Sequence, residues 1–252
     1  MFTTERHALL LERLRRDGKL VAKGVARELD VSEDTIRRDL RELASAGLCQ
    51  RVYGGAVPAS PATSPYEVRT TLEPESKARV AKRAAELIEP GSTAILDGGT
   101  TTLAVVAALD PGLQCTIITH SPTIAVALMP HELIDVYLIG GTLFRHSAVT
   151  SGAAALEATA GLSADLFLLG VTGIHPTEGL TTGDADEAAM KRALARRAAD
   201  TYVLGSREKI GAASRYLVLP LDGVTGIVTD ASADDPTITE LVERSAPLLF
   251  AP

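Results

Sequence analysis

Cysteine is scarce in this chain. The two present, Cys49 and Cys115, fit no metal-ligand spacing and give no basis for a disulfide framework, a usage that suits a reducing cytosol. A membrane span is missing as well. The stretch from Ala94 to Ala108 is too short, is broken by glycine and threonine, and is interrupted by Asp97, so no membrane partner is expected. The N-terminal run "MFTTERHALLLERLRRDGK" lacks a basic region followed by an apolar one, so no signal peptide is expected and the location should be cytoplasmic. No G-x-x-x-x-G-K-[ST] loop occurs, which excludes a nucleotide P-loop. His7, His120, His131, His146 and His175 are scattered, with no i, i+4 pair and no H-E-x-x-H, so neither metal nor cofactor is expected. Ser151 in "VTSGA" sits in no G-x-S-x-G elbow and reads as an ordinary loop serine. Repeats and low-complexity tracts are absent apart from one proline-broken segment.

What is present is an ordinary globular balance, 46% hydrophobic and 23% charged over 252 residues, enough for one large domain or two smaller ones. The net charge of −7 argues against a nucleic-acid partner until it is divided by position. Residues 1–57 carry +2 and the remainder carries −9, as expected of a basic-leaning module attached to an acidic body. Between them "PASPATSP", residues 58–65, reads as a linker: three prolines, small residues and no charge. Beyond it, residues 66–252 alternate β-rich runs ("STAILD", "CTIITH", "DVYLIG", "DLFLLG", "TYVLG", "GIVTD") with helical patterns, which implies an α/β body with a mostly parallel sheet covered on both faces.

The first module has three helical patterns. Leu9, Leu10 and Leu14 form a stripe on the first, and Val21, Val25 and Leu29 recur at four-residue spacing on the second. Ser32 is a good N-cap for the third, with Glu33 and Asp34 favourable in its first turn. On a helical wheel Ile36, Leu40 and Leu43 share one stripe, while Arg38 and Arg41 point away from it, flanked by Thr35 and Arg37. A short helix, a tight turn and a second helix with outward arginines near its start is the helix-turn-helix layout, whose second helix enters the major groove. Arginine suits bidentate contact with guanine, and serine or threonine hydroxyls suit phosphate or thymine. The following "LCQRVYGGAV" reads as a small β-hairpin, or wing.

In the body, "ILDGGTTT" runs from a strand into a helix. Gly98 and Gly99 allow a tight turn, and Thr100, Thr101 and Thr102 bring hydroxyls and free N–H groups to a helix N-terminus, a ready anion site at the strand edge where open α/β sheets bind ligands.

These residues carry a family resemblance. "VSEDTIRRDLRELASAGLCQRVYGGAV" resembles the winged helix-turn-helix signature of the DeoR-type bacterial transcriptional regulators. The likeness continues through Tyr66, Arg69, "SKARVAKRAAELIEPGSTAILDGGTTT", Gly140–Gly141, "GL" at 179–180 and "EKIG" followed by "GIVTD". It implies that residues 1–57 bind operator DNA through Ser32, Thr35, Arg37 and Arg38, with Arg51 and Tyr53 bracing the wing on phosphates. It also implies that the body is similar in fold to ribose-5-phosphate isomerase and senses a phosphorylated sugar or polyol. Asp97, Gly99, Thr100, Thr101 and Thr102 match the family's phosphate-facing loop, Gly140, Gly141 and Gly152 its glycine positions, and Lys209 its late lysine. Arg69, Lys77, Arg145, Glu187 and Lys191 fall on weaker positions, open between a pocket role and plain surface charge. One departure stands out: Ser206 occupies the place of the family's usual aspartate, three residues before the lysine.

The rival class is a sugar-phosphate isomerase with an appended DNA-binding module. Such chemistry needs a carboxylate base over the substrate, whereas the comparable strand ends "LLGVTGI" with no acid, and Asp184, Asp186 and Glu187 open a helix. A third reading is a DNA-binding scaffold that has lost sensing. The resemblance favours a repressor, and helix-turn-helix proteins that read repeated half-sites bind as symmetric oligomers, here a dimer or a tetramer.

Overall fold

The computed structural model describes residues 2–244 and 246–252. The first module is built from α1 (Thr3–Asp17), β1 (Leu20–Val21), α2 (Ala22–Glu28), α3 (Glu33–Ser45), β2 (Cys49–Val52) and β3 (Gly55–Pro58). Leu10, Leu14, Val25, Ile36, Leu40 and Leu43 lie in its core, so the apolar stripe of α3 faces inward, as do Leu10 and Leu14 of α1, while Leu9 is half-buried and outside this cluster. Val21 departs from the expected four-residue repeat. It lies in β1, opposite Gly55 in an antiparallel pair, and the wing is therefore a three-stranded sheet of order β1-β3-β2 rather than a bare hairpin. Asp39 is buried on α3 and pairs with Arg6 of α1, with His7 Nε2 3.3 Å away, which ties the third helix to the first.

Residues 58–65 are a structured strap, contrary to the linker reading. Pro61–Thr63 forms a 3-10 turn capped by Ser60, whose Oγ accepts from Ala62 N at 3.1 Å and donates to the Thr172 carbonyl. Ala59 bridges Ala213 in parallel fashion. The prolines that suggest a flexible break instead preset the turn, and the small side chains let the strap lie against the body.

The body begins with α4 (Tyr66–Thr71) and α5 (Pro74–Ala85) and continues through β4 (Thr93–Leu96), α6 (Thr100–Ala107), β5 (Cys115–Thr119), α7 (Pro122–Leu128) and β6 (Ile134–Leu138). After a hairpin, β7 (Thr142–Phe144) and β8 (Val149–Ser151), come α8 (Ala153–Ala158), β9 (Ala164–Gly170), β10 (Gly173–His175), β11 (Gly179–Thr182) and α9 (Ala185–Ala195). The chain ends with β12 (Ala198–Gly205), β13 (Tyr216–Leu219), β14 (Gly226–Thr229), α10 (Pro236–Glu243) and β15 (Leu248–Phe250). Seven strands make one parallel sheet of order β15-β14-β12-β9-β4-β5-β6. All six β-rich runs read from the sequence lie in it. Two apolar clusters cover its faces, one around Phe167, Leu169 and Val203, the other around Val80, Leu96 and Leu168. The strand order reverses between β4 and β9, and a cavity lies above the loops that follow those two strands, the place where open α/β sheets bind ligands. No helix among the described residues is long and apolar enough to cross a membrane.

Candidate functional site

Two surfaces carry most of the residues singled out in the sequence. On the first module, Ser32 caps α3 by accepting from Thr35 N at 3.1 Å, and its Oγ lies 2.8 Å from Thr35 Oγ1. Arg37 is exposed but pairs with Glu33 one turn back, at 2.6 Å. Arg38 and Arg41 are exposed, and neither has a carboxylate partner among the described residues. Arg51 is exposed on β2, and Tyr53 stands fully in solvent at the wing tip beside Gly54, whose φ of 79° places it in the left-handed region. Arg38 and Arg41 thus present unpaired guanidinium groups on the same module as an exposed wing.

The second surface is a cavity of about 490 Å³ at the strand-order switch. Its floor is the turn after β4. Gly99 caps α6 with φ 116° and no side chain, so the first N–H groups of that helix are left open toward the cavity. Gly98 and Gly170 press together: a Cβ on Gly170 would lie 3.0 Å from the Gly98 carbonyl, and one on Gly98 would lie 2.1 Å from a Val149 methyl. Around this floor stand Arg69, Lys77, Lys191, Lys209 and Arg215, against Asp184, Glu187 and Glu208.

The cations are held in place and partly desolvated. Lys209 Nζ donates to Thr101 Oγ1 and to the Leu204 carbonyl, each at 2.9 Å. Burial lowers its pKa to about 8, opposed by Glu208 and helped by Lys77, Arg69 and Lys191. Lys77 donates to the Arg69 and Leu72 carbonyls, and burial lowers it too. Arg69 lies over the Tyr66 ring, 5.5 Å from its centre, and donates to the His146 carbonyl at 2.8 Å. Four residues of the cavity wall each carry a buried polar atom without a partner among the described residues: Arg69 Nε, Thr102 Oγ1, Glu208 Oε2 and Ser214 Oγ. Such atoms are costly to leave unpaired, and a ligand bearing both acceptors and hydroxyls would satisfy them.

Residues 6–62 match the DeoR-like helix-turn-helix domain and residues 72–231 match the DeoR C terminal sensor domain. The chain belongs to the DeoR family of transcriptional regulators. It is 32% identical over 92% of both chains to the uncharacterized HTH-type transcriptional regulator FruR of Bacillus subtilis. It is likewise 32% identical to the glycerol-3-phosphate regulon repressor of Escherichia coli, again over 92% of each chain. A solved ribose 5-phosphate isomerase A from Methanocaldococcus jannaschii aligns with 50% of each chain at 19% identity and a TM-score of 0.37.

Within this DeoR-family chain the expected residues separate. Gly99, Thr100, Thr101, Thr102 and Lys209 line the cavity, as do Arg69, Lys77, Glu187 and Lys191 from the weaker set. Asp97 does not. It is fully buried beneath the floor, accepting from Gly98 N at 2.8 Å, Gly170 N at 2.9 Å and Lys191 Nζ, with His120 Nε2 at 2.8 Å. Its carboxylate staples the β4 loop to the β9 loop and has no lone pair left for a ligand. Lys191 and the hydrogen bonds from His120 and Lys191 hold its pKa well below the ordinary range, against the opposing effect of burial. Gly140, Gly141 and Gly152 also lie outside the cavity. Gly141, with φ 148°, packs where a Cβ would meet the Ser151 carbonyl at 2.8 Å, and Gly152, with φ 93°, opens α8, so both serve backbone geometry. Arg145 is exposed and outside the cavity. Among the wall residues not singled out in the sequence, Gln50 and Glu208 lie inside the quoted stretches "LCQRVYGGAV" and "EKIG", while Thr172 and Ser214 lie in no motif.

Proposed function

We propose that this protein represses genes of sugar or polyol metabolism, gripping operator DNA through α3 and the wing, and that a phosphorylated sugar or polyol controls the grip. The observation that carries this reading is the gathering of four unpartnered buried polar atoms on one cation-rich cavity above a helix N-terminus. The names of relatives support the gene class: the glycerol-3-phosphate regulon repressor of Escherichia coli, and the transcriptional repressor GlcR of Bacillus subtilis, 30% identical over 91% of this chain and 89% of that one. Gln50 of the wing and Ala62 and Thr63 of the strap line the same cavity, so an occupant touches the DNA-binding module and the body together. That shared wall is a physical route for coupling effector and DNA affinity.

In this reading Arg38 contacts a base edge, Ser32 and Thr35 approach the backbone at the helix start, and Arg51 and Tyr53 brace the wing on phosphates. Arg37 contacts DNA only after releasing Glu33. Arg38→Ala should lose about 1–3 kcal/mol on operator DNA and relax base preference, while Arg51→Ala should weaken operator and random DNA alike and reduce the salt slope by about one. Salt titrations on both DNAs, with sites selected from a fragment library, measure this. Unchanged operator affinity for both variants removes the assignment.

The reading also includes a cytoplasmic homo-oligomer, dimer or tetramer, able to span two half-sites. The β6 edge supports it: Val136, Tyr137 and Leu138 are 40–50% exposed on the terminal strand of the sheet. A thermal-shift screen of phosphorylated sugars and polyols beside their unphosphorylated parents tests the effector class. Stabilisation confined to the phosphorylated set is the expected result, and equal or absent shifts in both sets overturn it.

A further inference from the structure

Glu208 is the odd member of the cavity wall. It sits in the 3-10 turn Arg207–Lys209, its side chain is only 6% exposed, and it stands among cations that would suit an anion better without it. Its two oxygens differ. Oε1 accepts from Ser206 Oγ at 2.9 Å and lies 3.8 Å from Lys77 Nζ. Oε2 is buried without a partner among the described residues. Ser206 Oγ lies 3.5 Å from Thr101 Oγ1, which in turn accepts from Lys209. The carboxylate is thus one hydroxyl removed from the helix turn and lysine that form the anion cradle.

A carboxylate with one oxygen anchored and the other unpaired can only accept hydrogen bonds. A ligand hydroxyl at that place would satisfy it, an alkyl carbon would leave it desolvated and unpaired, and a second anionic group would be repelled. We propose that Glu208 selects the effector by accepting a hydrogen bond from a hydroxyl close to the phosphate-bearing end, so that the cavity takes polyhydroxylated monophosphates and rejects deoxy analogues and molecules with a second anionic group at that position. This rests on the phosphate-ester reading of the cavity and deepens it.

The test uses the full-length chain and calorimetric titration with inorganic phosphate and matched sets: pentose and hexose monophosphates, glycerol 3-phosphate, their deoxy or alkyl counterparts, and a phosphorylated acid such as 3-phosphoglycerate. The wild type should favour at least one hydroxylated monophosphate over its deoxy or alkyl counterpart by roughly 10-fold or more. Glu208→Gln should shrink that ratio to about 3-fold or less, while binding of inorganic phosphate and of the phosphorylated acid rises, because a negative charge beside the cradle has gone. Glu208→Asp, which keeps the charge on a shorter stem, should restore part of the discrimination. A ratio unaltered in Glu208→Gln, or an equal loss of affinity for every ligand, overturns the role of Glu208 while leaving the effector class standing. Failure of the wild type to bind any phosphorylated compound overturns the underlying reading instead.

Discussion

Asp97→Asn is expected to cost about 3–5 kcal/mol of stability, the range for leaving a buried charge without its partner. The amide cannot accept from Gly98, Gly170, Lys191 and His120 at once, and it leaves the Lys191 ammonium, 3% exposed, with only Glu187 at 3.5 Å. Because small proteins are stable by about 5–15 kcal/mol in all, the sensor domain of this variant should unfold at a markedly lower urea concentration. Asp97→Asn combined with Lys191→Met should recover much of the loss, since removing both members of a buried pair no longer strands a charge. The pH dependence has a definite sign. The folded-state carboxyl lies below its ordinary value of 3.8, so its contribution is complete above that value and is lost only as pH falls toward the folded-state one. Wild-type stability should therefore decline below pH about 4 with a limb that the asparagine variant lacks. A loss of less than 1 kcal/mol in the single variant would mean that the two loops are held together by something other than this carboxylate.

Lys209→Met should weaken binding of the phosphorylated effector by roughly 10- to 100-fold, the value of hydrogen bonds to a charged group, while DNA affinity without effector stays as it was. The ammonium uses two of its three donors among the described residues, on Thr101 and Leu204, and the third is available to the cavity. Methionine keeps the apolar stem and removes a desolvated charge, so the variant should melt no lower than the wild type. The same lysine makes binding sensitive to pH. With a pKa near 8 it loses its proton as pH rises through that value, and an anion in the cradle raises the pKa again. Affinity should then be greatest below pH 8, fall above it, and be accompanied near pH 8 by proton uptake, measured by titration calorimetry in buffers of different ionisation enthalpy. Absence of uptake in the wild type, or its persistence in Lys209→Met, would assign the coupled proton to another group.

The helix-turn-helix and the α/β body were legible because each has its own local code. The third helix announces itself through Ser32, the Ile36–Leu40–Leu43 stripe and the arginines opposite, all within one segment. The parallel sheet announces itself through short apolar runs ending in glycine or polar residues. Asp39 was less legible, because a carboxylate beside Leu43 on the wheel looks like surface charge until Arg6 and His7 of another helix are brought to it. The strap misled for a related reason: proline and serine signal a break in one dimension and a capped turn packed on Thr172 in three.

In the candidate cavity the same contrast holds at single residues. Asp97 and Thr100 are neighbours in one motif, yet the first serves the fold from beneath and the second faces the cavity, because β9 approaches closely enough for Gly170 N to claim the carboxylate. By itself the amino-acid order determined the main helices and six strands of the parallel sheet, which helix carries outward arginines, and where a glycine–threonine turn follows a strand; these are short-range matters of periodicity, capping and backbone freedom. Only the tertiary structure decided the sheet order that opens the crevice, the burial that lowers Lys209, and the meeting of Gln50, Arg69, Glu208 and Ser214 around one space. Those residues lie far apart along the chain, and the desolvation and charge pairing that give them their chemistry exist only once folding has removed the water between them.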